Sequence, residues 1–339
     1  MAMSSTNAPP RAKSVAKPAR QHRDILLLAG LFALVIAGIV SLAIATGWRE
    51  TLDQIAKLTA MQFLGLLGLS LVNYGFRGLR WHLFARRLGL PTGLVQNLRH
   101  FLGGFAMSVT PGRVGELVRM RWLRRETGWS FERTAPLVLM DRASDLTAIA
   151  LILSLSVMMS AAGIAGAVPV ALTALVLAFV ATRPILLSAL AGVLYRLTGA
   201  VPRLFARVRR AARSLARFSD ARVMLAAAIL GLIGWLAEGY AFYLLMVWMG
   251  ADIGFWTAVG IFVFATLVGG ATGAPGGVGG AEAAMIGLLM LEHVPLEVSL
   301  PATLIIRVTT LWFAIGIGLV VFPFAERISQ KEKHALEIR

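Results

Sequence analysis

The stretch TPGRVGE, residues 110–116, lies between two apolar runs and interrupts a chain that otherwise reads as helix. Pro111 lacks a backbone N–H group and disfavours helical angles at Thr110. Gly112 and Gly115 permit backbone angles that other residues resist. The stretch therefore predicts a broken helix, in which one helix ends just before these residues and the next begins within them.

The predicted break carries charge. The helix that restarts near Val114 exposes unpaired N–H groups and the positive end of its dipole. Arg113, Glu116 and Arg119 follow at helical spacing. Because charge beside a broken helix is costly in hydrocarbon, we expect the break to line a cavity or to pack inside protein.

A second stretch, residues 274–282, repeats the pattern and reads APGGVGGAE. Pro-Gly-x-Val-Gly is common to both stretches, and Pro275 follows Pro111 by 164 residues. Each stretch lies between apolar runs. Two such stretches indicate an internal duplication with two discontinuous helices.

The composition is that of an all-α integral membrane protein. The chain has 339 residues, of which 58% are hydrophobic, and several apolar runs approach or exceed the roughly 20 residues that span a bilayer. The formal net charge is +16, with basic residues between the apolar runs, as in cytoplasmic loops. We therefore expect membrane lipids with anionic headgroups as partners, and no nucleic acid. The absence of Cys excludes disulfides.

The apolar runs predict six full spans and two re-entrant hairpins within one membrane domain, residues 25–325. A basic tail that we expect to be disordered precedes this domain, and a second tail follows it, both on the cytoplasmic side (1–24 and 326–339). The predicted spans are residues 25–46, 58–78, 135–160, 166–182, 223–249 and 300–322. The predicted hairpins are residues 100–126 and 253–292.

The two halves, residues 58–160 and 223–322, have opposite predicted orientations. This is the inverted-repeat plan of many secondary transporters, whose site lies near mid-bilayer where the two breaks meet. The linker between them, 183–222, contains a basic amphipathic segment that we expect on the cytoplasmic membrane surface. A cytoplasmic loop with Arg80 and Arg99 is expected between the second span and the first hairpin.

Charged residues inside the spans are candidates for a functional site, because each costs roughly 2.5–3.5 kcal/mol at a helix centre. Asp141 and Asp145 fall with Arg142 on one helical turn, and Glu238 and Arg307 lie deeper in their spans. Arginines hold phosphate bidentately, while the carboxylates orient them or carry coupling protons. The alternative for the aspartate turn is a structural ion-pair clasp without a ligand.

The predicted substrate-binding residues combine these charges with the two breaks. A structural alternative stays open here as well, in which the glycines serve close helix packing. The predicted set is Thr110, Pro111, Gly112, Arg113, Gly115, Glu116, Arg119, Asp141, Arg142, Asp145, Glu238, Pro275, Gly276, Gly277, Gly279, Glu282 and Arg307.

Catalysis finds little support in the sequence. None of the five His is paired at metal-ligand spacing, and no Ser lies in a nucleophile elbow. Gly112 and Arg113 lack the Gly-Lys-Ser/Thr ending of a Walker loop. We therefore expect no enzyme activity, no cofactor and no metal.

Three motifs in order, TPGRVGELVR, DRASDL (141–146) and APGGVGGAE, resemble the lysylphosphatidylglycerol synthase transmembrane-region family. That family includes the flippase half of the bacterial multiple peptide resistance factor. The likeness covers about residues 55–325. It implies an inner-membrane protein that binds or flips aminoacylated phosphatidylglycerol or lipids of polyprenyl-phosphate or hopanoid pathways. The synthases carry an aminoacyl-transfer domain after the membrane part, whereas this chain ends at Arg339, so we expect no such activity.

We therefore interpret the sequence as a lipid translocase or lipid-binding transporter of the bacterial inner membrane. Arg113, Arg119, Arg142 and Arg307 are expected to bind an anionic phosphate headgroup while the lipid tails stay in the bilayer. Two alternatives stay open, a membrane enzyme that acts on lipid headgroups and an accessory protein that presents lipid to a synthase. A homo-oligomer or a lipid-synthase partner also stays open.

Overall fold

A computed structural model describes most of the predicted membrane domain. It describes residues 58–108, 110, 115–160, 167–183, 215–218 and 220–338, and the isolated positions 56, 185, 186, 188, 189, 192 and 193. Several predicted features lie outside the described residues: the N-terminal tail, the first span, most of the basic linker, and Pro111, Gly112 and Arg113 of the first break.

The described residues form α-helices and short helical turns, with no strand among them. The α-helices in chain order are α1 (Ala60–Leu88), α2 (Leu94–Gly103), α3 (Gly115–Thr127), α4 (Phe131–Met159), α5 (Ala167–Thr182), α6 (Ala221–Trp248), α7 (Phe255–Ala271), α8 (Gly280–Leu291), α9 (Leu296–Arg307) and α10 (Phe313–Ile338).

Within the described part of the chain, three helical segments are long and apolar enough to cross a membrane: Phe131–Met159, Ala221–Trp248 and Leu296–Ala335. Val168–Val180 and Phe255–Ala271 are shorter apolar helices. Large apolar side chains also cover the outside of the molecule, as a lipid-facing surface requires. The all-α membrane class is thus confirmed, while the number of spans and the inverted repeat remain predictions.

Helix α1 begins and ends at recognisable capping signals. The Gln62 N–H donates to Thr59 Oγ1 at 3.2 Å, and the Thr59 N–H donates to Gln62 Oε1 at 2.8 Å. The helix ends at Gly89, whose φ of 84° is left-handed. It therefore continues ten residues past the predicted span, 58–78. The prediction of a loop at Arg80 was wrong, because this residue lies on the buried face of α1.

Both predicted breaks separate helices. At the first, α2 is followed by a 3-10 turn at Gly104–Met107, and α3 begins at Gly115, next to the predicted restart. At the second, a 3-10 turn at Pro275–Gly277 lies between α7 and α8. Each interruption therefore coincides with a Pro-Gly stretch of the sequence.

The chain continues as helix beyond the last predicted span. Helix α9 passes through a π-helical turn at Val308–Trp312 into α10, which ends at Ile338. Glu326 lies 2.6 Å from the guanidinium groups of Arg121 and Arg125 on α3. The segment 326–338, predicted as a tail, is thus helical, and Glu326 attaches it to α3.

Candidate functional site

The buried face of α1 is polar. Asn73, Arg77 and Arg80 follow at helical spacing and are all buried. Two glycines of α6 allow this face to approach. A Cβ on Gly231 would lie 2.9 Å from Arg80 Nη1, and one on Gly234 would lie 3.4 Å from the Asn73 carbonyl oxygen. Small residues on α6 therefore make room for the arginines of α1.

The two aspartates of α4 are the counter-charges of these arginines. Arg80 Nη2 lies 2.7 Å from Asp141 Oδ1 and 2.6 Å from Asp145 Oδ1. Arg77 Nη2 donates to Asp145 Oδ2 at 2.7 Å. The side chain of Arg80 is 0% exposed, so these carboxylates, and not water, compensate its charge.

Two predicted site arginines join this group. Arg142 lies 2.9 Å from Asp141 Oδ2 and 3.3 Å from Asp145 Oδ2, and 28% of its side chain is exposed. Arg119 of α3 lies 4.0 Å from Asp141 Oδ2 and donates to the Phe101 carbonyl at 2.9 Å. The arginine cluster is defined as Arg77, Arg80, Arg119, Arg142, Asp141 and Asp145.

The arginine cluster has an excess of positive charge, because four guanidinium groups face two carboxylates. Unbalanced charge away from water is expensive and is typical of functional sites in membranes. Within the described residues, Arg77 Nε and both Nε and Nη1 of Arg80 have no hydrogen-bond acceptor. An anion with several oxygens fits this chemistry, since guanidinium groups bind such anions bidentately.

Helix α6 completes the surroundings of the arginine cluster. Trp235 Nε1 donates to Asp145 Oδ1 at 3.2 Å, and its ring centroid lies 4.9 Å from Arg77 Cζ. Glu238 follows one turn later and is 5% exposed. The predicted site residues Asp141, Asp145 and Glu238 therefore belong to one buried polar region.

The charged residues of the second break contact one another. Arg307 Nε donates to Glu282 Oε1 at 2.6 Å, and Arg307 Nη2 donates to the Gly276 carbonyl at 2.8 Å. Glu282 Oε2 accepts from the Gly279 N–H at 2.7 Å. We call these contacts the loop clasp. They favour the structural alternative for this break, and a direct headgroup contact by Arg307 stays a prediction.

The helix that follows the first break contributes Arg119 to the arginine cluster. Both the N–H and the hydroxyl of Thr110 donate to the Met107 carbonyl, at 2.9 and 2.5 Å. Gly115 and Glu116 open α3. One turn later Arg119 reaches the arginine cluster, and its Cζ lies 4.5 Å from the Phe101 ring centroid. This helix start thus directs an arginine of α3 toward the two aspartates.

The sequence interpretation missed the role of two residues, Arg77 and Arg80. Both follow Asn73 at intervals that keep them on one helix face. The two aspartates on one turn of α4 also require positive partners within the membrane domain. These two signals together would have indicated a buried site on α1.

Comparison with known proteins identifies similar membrane proteins. The sequence profile described as the lysylphosphatidylglycerol synthase TM region matches residues 27–318, which include both breaks and the arginine cluster. A UPF0104 membrane protein of Methanothermobacter thermautotrophicus is 26% identical over 333 residues, which cover 88% of this chain and 96% of the relative. Another UPF0104 membrane protein from this organism is 32% identical over 108 residues, 32% of this chain and 31% of that relative. The chain therefore belongs to the lysylphosphatidylglycerol synthase TM region family of membrane proteins.

Proposed function

We propose that this protein binds a lipid by its anionic phosphate headgroup and moves it between the leaflets of the bacterial inner membrane. The observation that supports this function is the arginine cluster. It places four guanidinium groups and two carboxylates between helices of a membrane domain. A buried cluster with excess positive charge attracts the headgroup, while the lipid tails stay in hydrocarbon.

Arg77 and Arg142 form the accessible edge of the arginine cluster. Their side chains are 10% and 28% exposed, whereas that of Arg80 is 0% exposed. Both edge arginines contact Asp145 Oδ2, at 2.7 and 3.3 Å. A phosphate oxygen that enters here replaces this carboxylate oxygen as their acceptor. Arg80 meanwhile holds Asp141 and Asp145 in position.

We also propose the inverted repeat as the framework for this movement. Each Pro-Gly stretch lies between a pair of shorter helices, which supports two related halves. In this arrangement six spans surround two re-entrant hairpins, and both termini lie in the cytoplasm. The polar region at the arginine cluster then opens alternately to either leaflet as the halves move against each other.

A transport assay with a matched variant tests the proposed function. Purified protein is reconstituted in liposomes, and fluorescent phosphatidylglycerol added to the outer leaflet is followed by chemical quenching. We expect Arg142→Ala to slow lipid movement about ten-fold or more, since a lost hydrogen bond to a charged group costs about 1.5–3 kcal/mol. Arg124→Ala removes an exposed arginine of α3 and should retain the wild-type rate.

Equal, small effects of the two variants at matched amounts of folded protein would argue against a headgroup site at the arginine cluster. The same liposomes distinguish the alternatives. Mass spectrometry that finds a converted headgroup supports the membrane enzyme. Lipid binding without movement supports an accessory protein that presents lipid to a synthase.

A further inference from the structure

Glu238 is a buried carboxyl group near the middle of α6. Gly231, Gly234, Trp235 and Glu238 follow at helical spacing on the face of α6 that packs along α1. The residue is 5% exposed. Within the described part of the chain, its side chain has neither a hydrogen bond nor an ion pair. A carboxylate in such a place is costly, because nothing replaces its hydration.

The other buried acids of the polar region are all engaged. Asp141 and Asp145 each contact more than one guanidinium group, at 2.6–3.3 Å. Glu282 binds Arg307 and the Gly279 N–H within the loop clasp. In this structure these three acids are therefore each paired with at least one arginine. Glu238 differs from them and is the acid that is able to change its charge without breaking an ion pair.

Several ionisable groups surround Glu238 on the helices that pack against α6. Arg77 and Tyr74 on α1, Asp145 on α4 and Arg307 on α9 are close enough to interact with it electrostatically. Helix α7 carries no ionisable side chain. Both arginines are already bound to other acids, at 2.7 Å for Arg77 and 2.6 Å for Arg307.

Arg80 lies further along the same face of α1 and connects Asp145 to the rest of the arginine cluster. Arg80, Asp141 and Arg142 share ion pairs with one another and with Asp145. A headgroup phosphate at Arg77 and Arg142 would add an anion close to Glu238. Two anions beside one arginine repel each other, and protonation of one of them removes this repulsion.

We propose that Glu238 takes up one proton when a lipid phosphate binds at Arg77 and Arg142, and releases it when the headgroup leaves. The proton comes from water on the side where the headgroup enters, resides on a Glu238 carboxyl oxygen, and returns to water on the side where the headgroup leaves. A lipid with one negative charge and one proton thus move in the same direction without net charge. This inference rests on the proposed function and adds its energy source.

A pH gradient across proteoliposomes tests the coupling. Fluorescent phosphatidylglycerol starts in the outer leaflet, and potassium with valinomycin on both sides holds the membrane potential at zero. For the wild type we expect lipid to accumulate in the leaflet that faces the alkaline side. At one-to-one coupling, one pH unit corresponds to a leaflet ratio of up to about ten-fold. A fluorescent glucosylceramide, which has no phosphate, should show no such bias.

Two carboxyl variants make the test specific. Glu238→Gln cannot exchange a proton, so its lipid should become equally distributed between the leaflets whatever the gradient. Glu297→Gln changes an exposed acid near the start of α9 and should retain the wild-type bias. Wild-type movement that ignores the gradient, or a Glu238→Gln variant that retains the bias, overturns the coupling and leaves the proposed function intact. A wild type that moves no lipid overturns both.

A second measurement does not depend on the variant folding. Wild-type protein in detergent at low buffer strength is mixed with dihexanoyl phosphatidylglycerol, and a pH indicator reports proton uptake. Up to one proton per protein should be taken up on binding, and none with dihexanoylglycerol, which lacks the phosphate. Binding of the phospholipid without proton uptake overturns the inference.

Discussion

Arg80 is a fully buried guanidinium group that depends on two carboxylates. Its Nη2 atom lies 2.7 Å from Asp141 Oδ1 and 2.6 Å from Asp145 Oδ1. Gly231 on α6 leaves the space that its Nη1 atom occupies. Removing one member of a buried ion pair leaves the other charge uncompensated, which costs about 3–5 kcal/mol. Arg80 therefore holds the two aspartates in position and contributes to the packing of α1 on α6.

We predict that Arg80→Ala lowers the melting temperature of the protein in detergent by more than the substitution of any exposed arginine by alanine. The variant leaves two buried carboxylates with fewer partners and a cavity beside α6. Arg86→Ala, six residues later on the exposed side of α1, is the control and should leave the melting temperature close to that of the wild type. Equal melting temperatures for the two variants would contradict the structural role of Arg80.

The sequence predicted four of the six residues of the arginine cluster and missed Arg77 and Arg80. Asp141, Arg142 and Asp145 were recognised because they share one helical turn inside an apolar segment. Their partner Arg80 lies 61 residues before Asp141, at the end of an apolar run, where local charge density favours a loop. Only the tertiary packing of α1 against α4 shows which acids compensate which arginines.

At the scale of elements, the second break is a rigid turn held by the loop clasp. Gly276, Gly277 and Gly279 have φ values of 60°, 68° and 86°, which are accessible to glycine at little cost. The carbonyl of Gly276 accepts from Arg307 Nη2 at 2.8 Å. The turn between α7 and α8 is therefore tied to the end of α9.

We predict that Gly276→Val lowers the folded yield and lipid movement together. Its Cβ would lie 2.9 Å from Leu311 Cδ2, and its φ of 60° strains a β-branched residue. Gly287→Val in α8 is the control, because no atom lies within 4 Å of a Cβ at that position. Size-exclusion chromatography measures the folded yield of both. A well-folded Gly276→Val that loses only lipid movement would instead assign the break to the transport site.

The positions of both breaks followed from local chemistry, since Pro and Gly end helices whatever surrounds them. The contacts at the breaks did not follow from it. Glu282 and Arg307 are separated by 25 residues and meet only because α8 and α9 pack together. A charge beside a break was therefore interpreted as a ligand contact, although the structure gives it a partner within the protein.

At the scale of the whole molecule, the inverted repeat predicts on which side of the membrane each loop lies, and reporter fusions test this prediction. Reporter fusions at residues 89–93, 205 and 339 should report the cytoplasm, because basic residues accumulate near these positions. Fusions at residues 250–254, where Lys and Arg are absent, should report the outer side. An outer location of residue 205 would contradict opposite orientations of the two halves.

One long helical segment contacts helices or turns at both breaks. The segment Leu296–Ala335 is continuous. Near its start Arg307 donates to the Gly276 carbonyl in the turn of the second break, and further along Glu326 is paired with two arginines of α3. Arg307 and Glu326 are nineteen residues apart along this helix, a length of about 28 Å. Because this helix is held at both points, we expect a displacement at the second break to be transmitted to α3. The π-helical turn at Val308–Trp312 lies between these two contacts. Because its hydrogen bonding departs from that of an α-helix, we expect the helix to bend there.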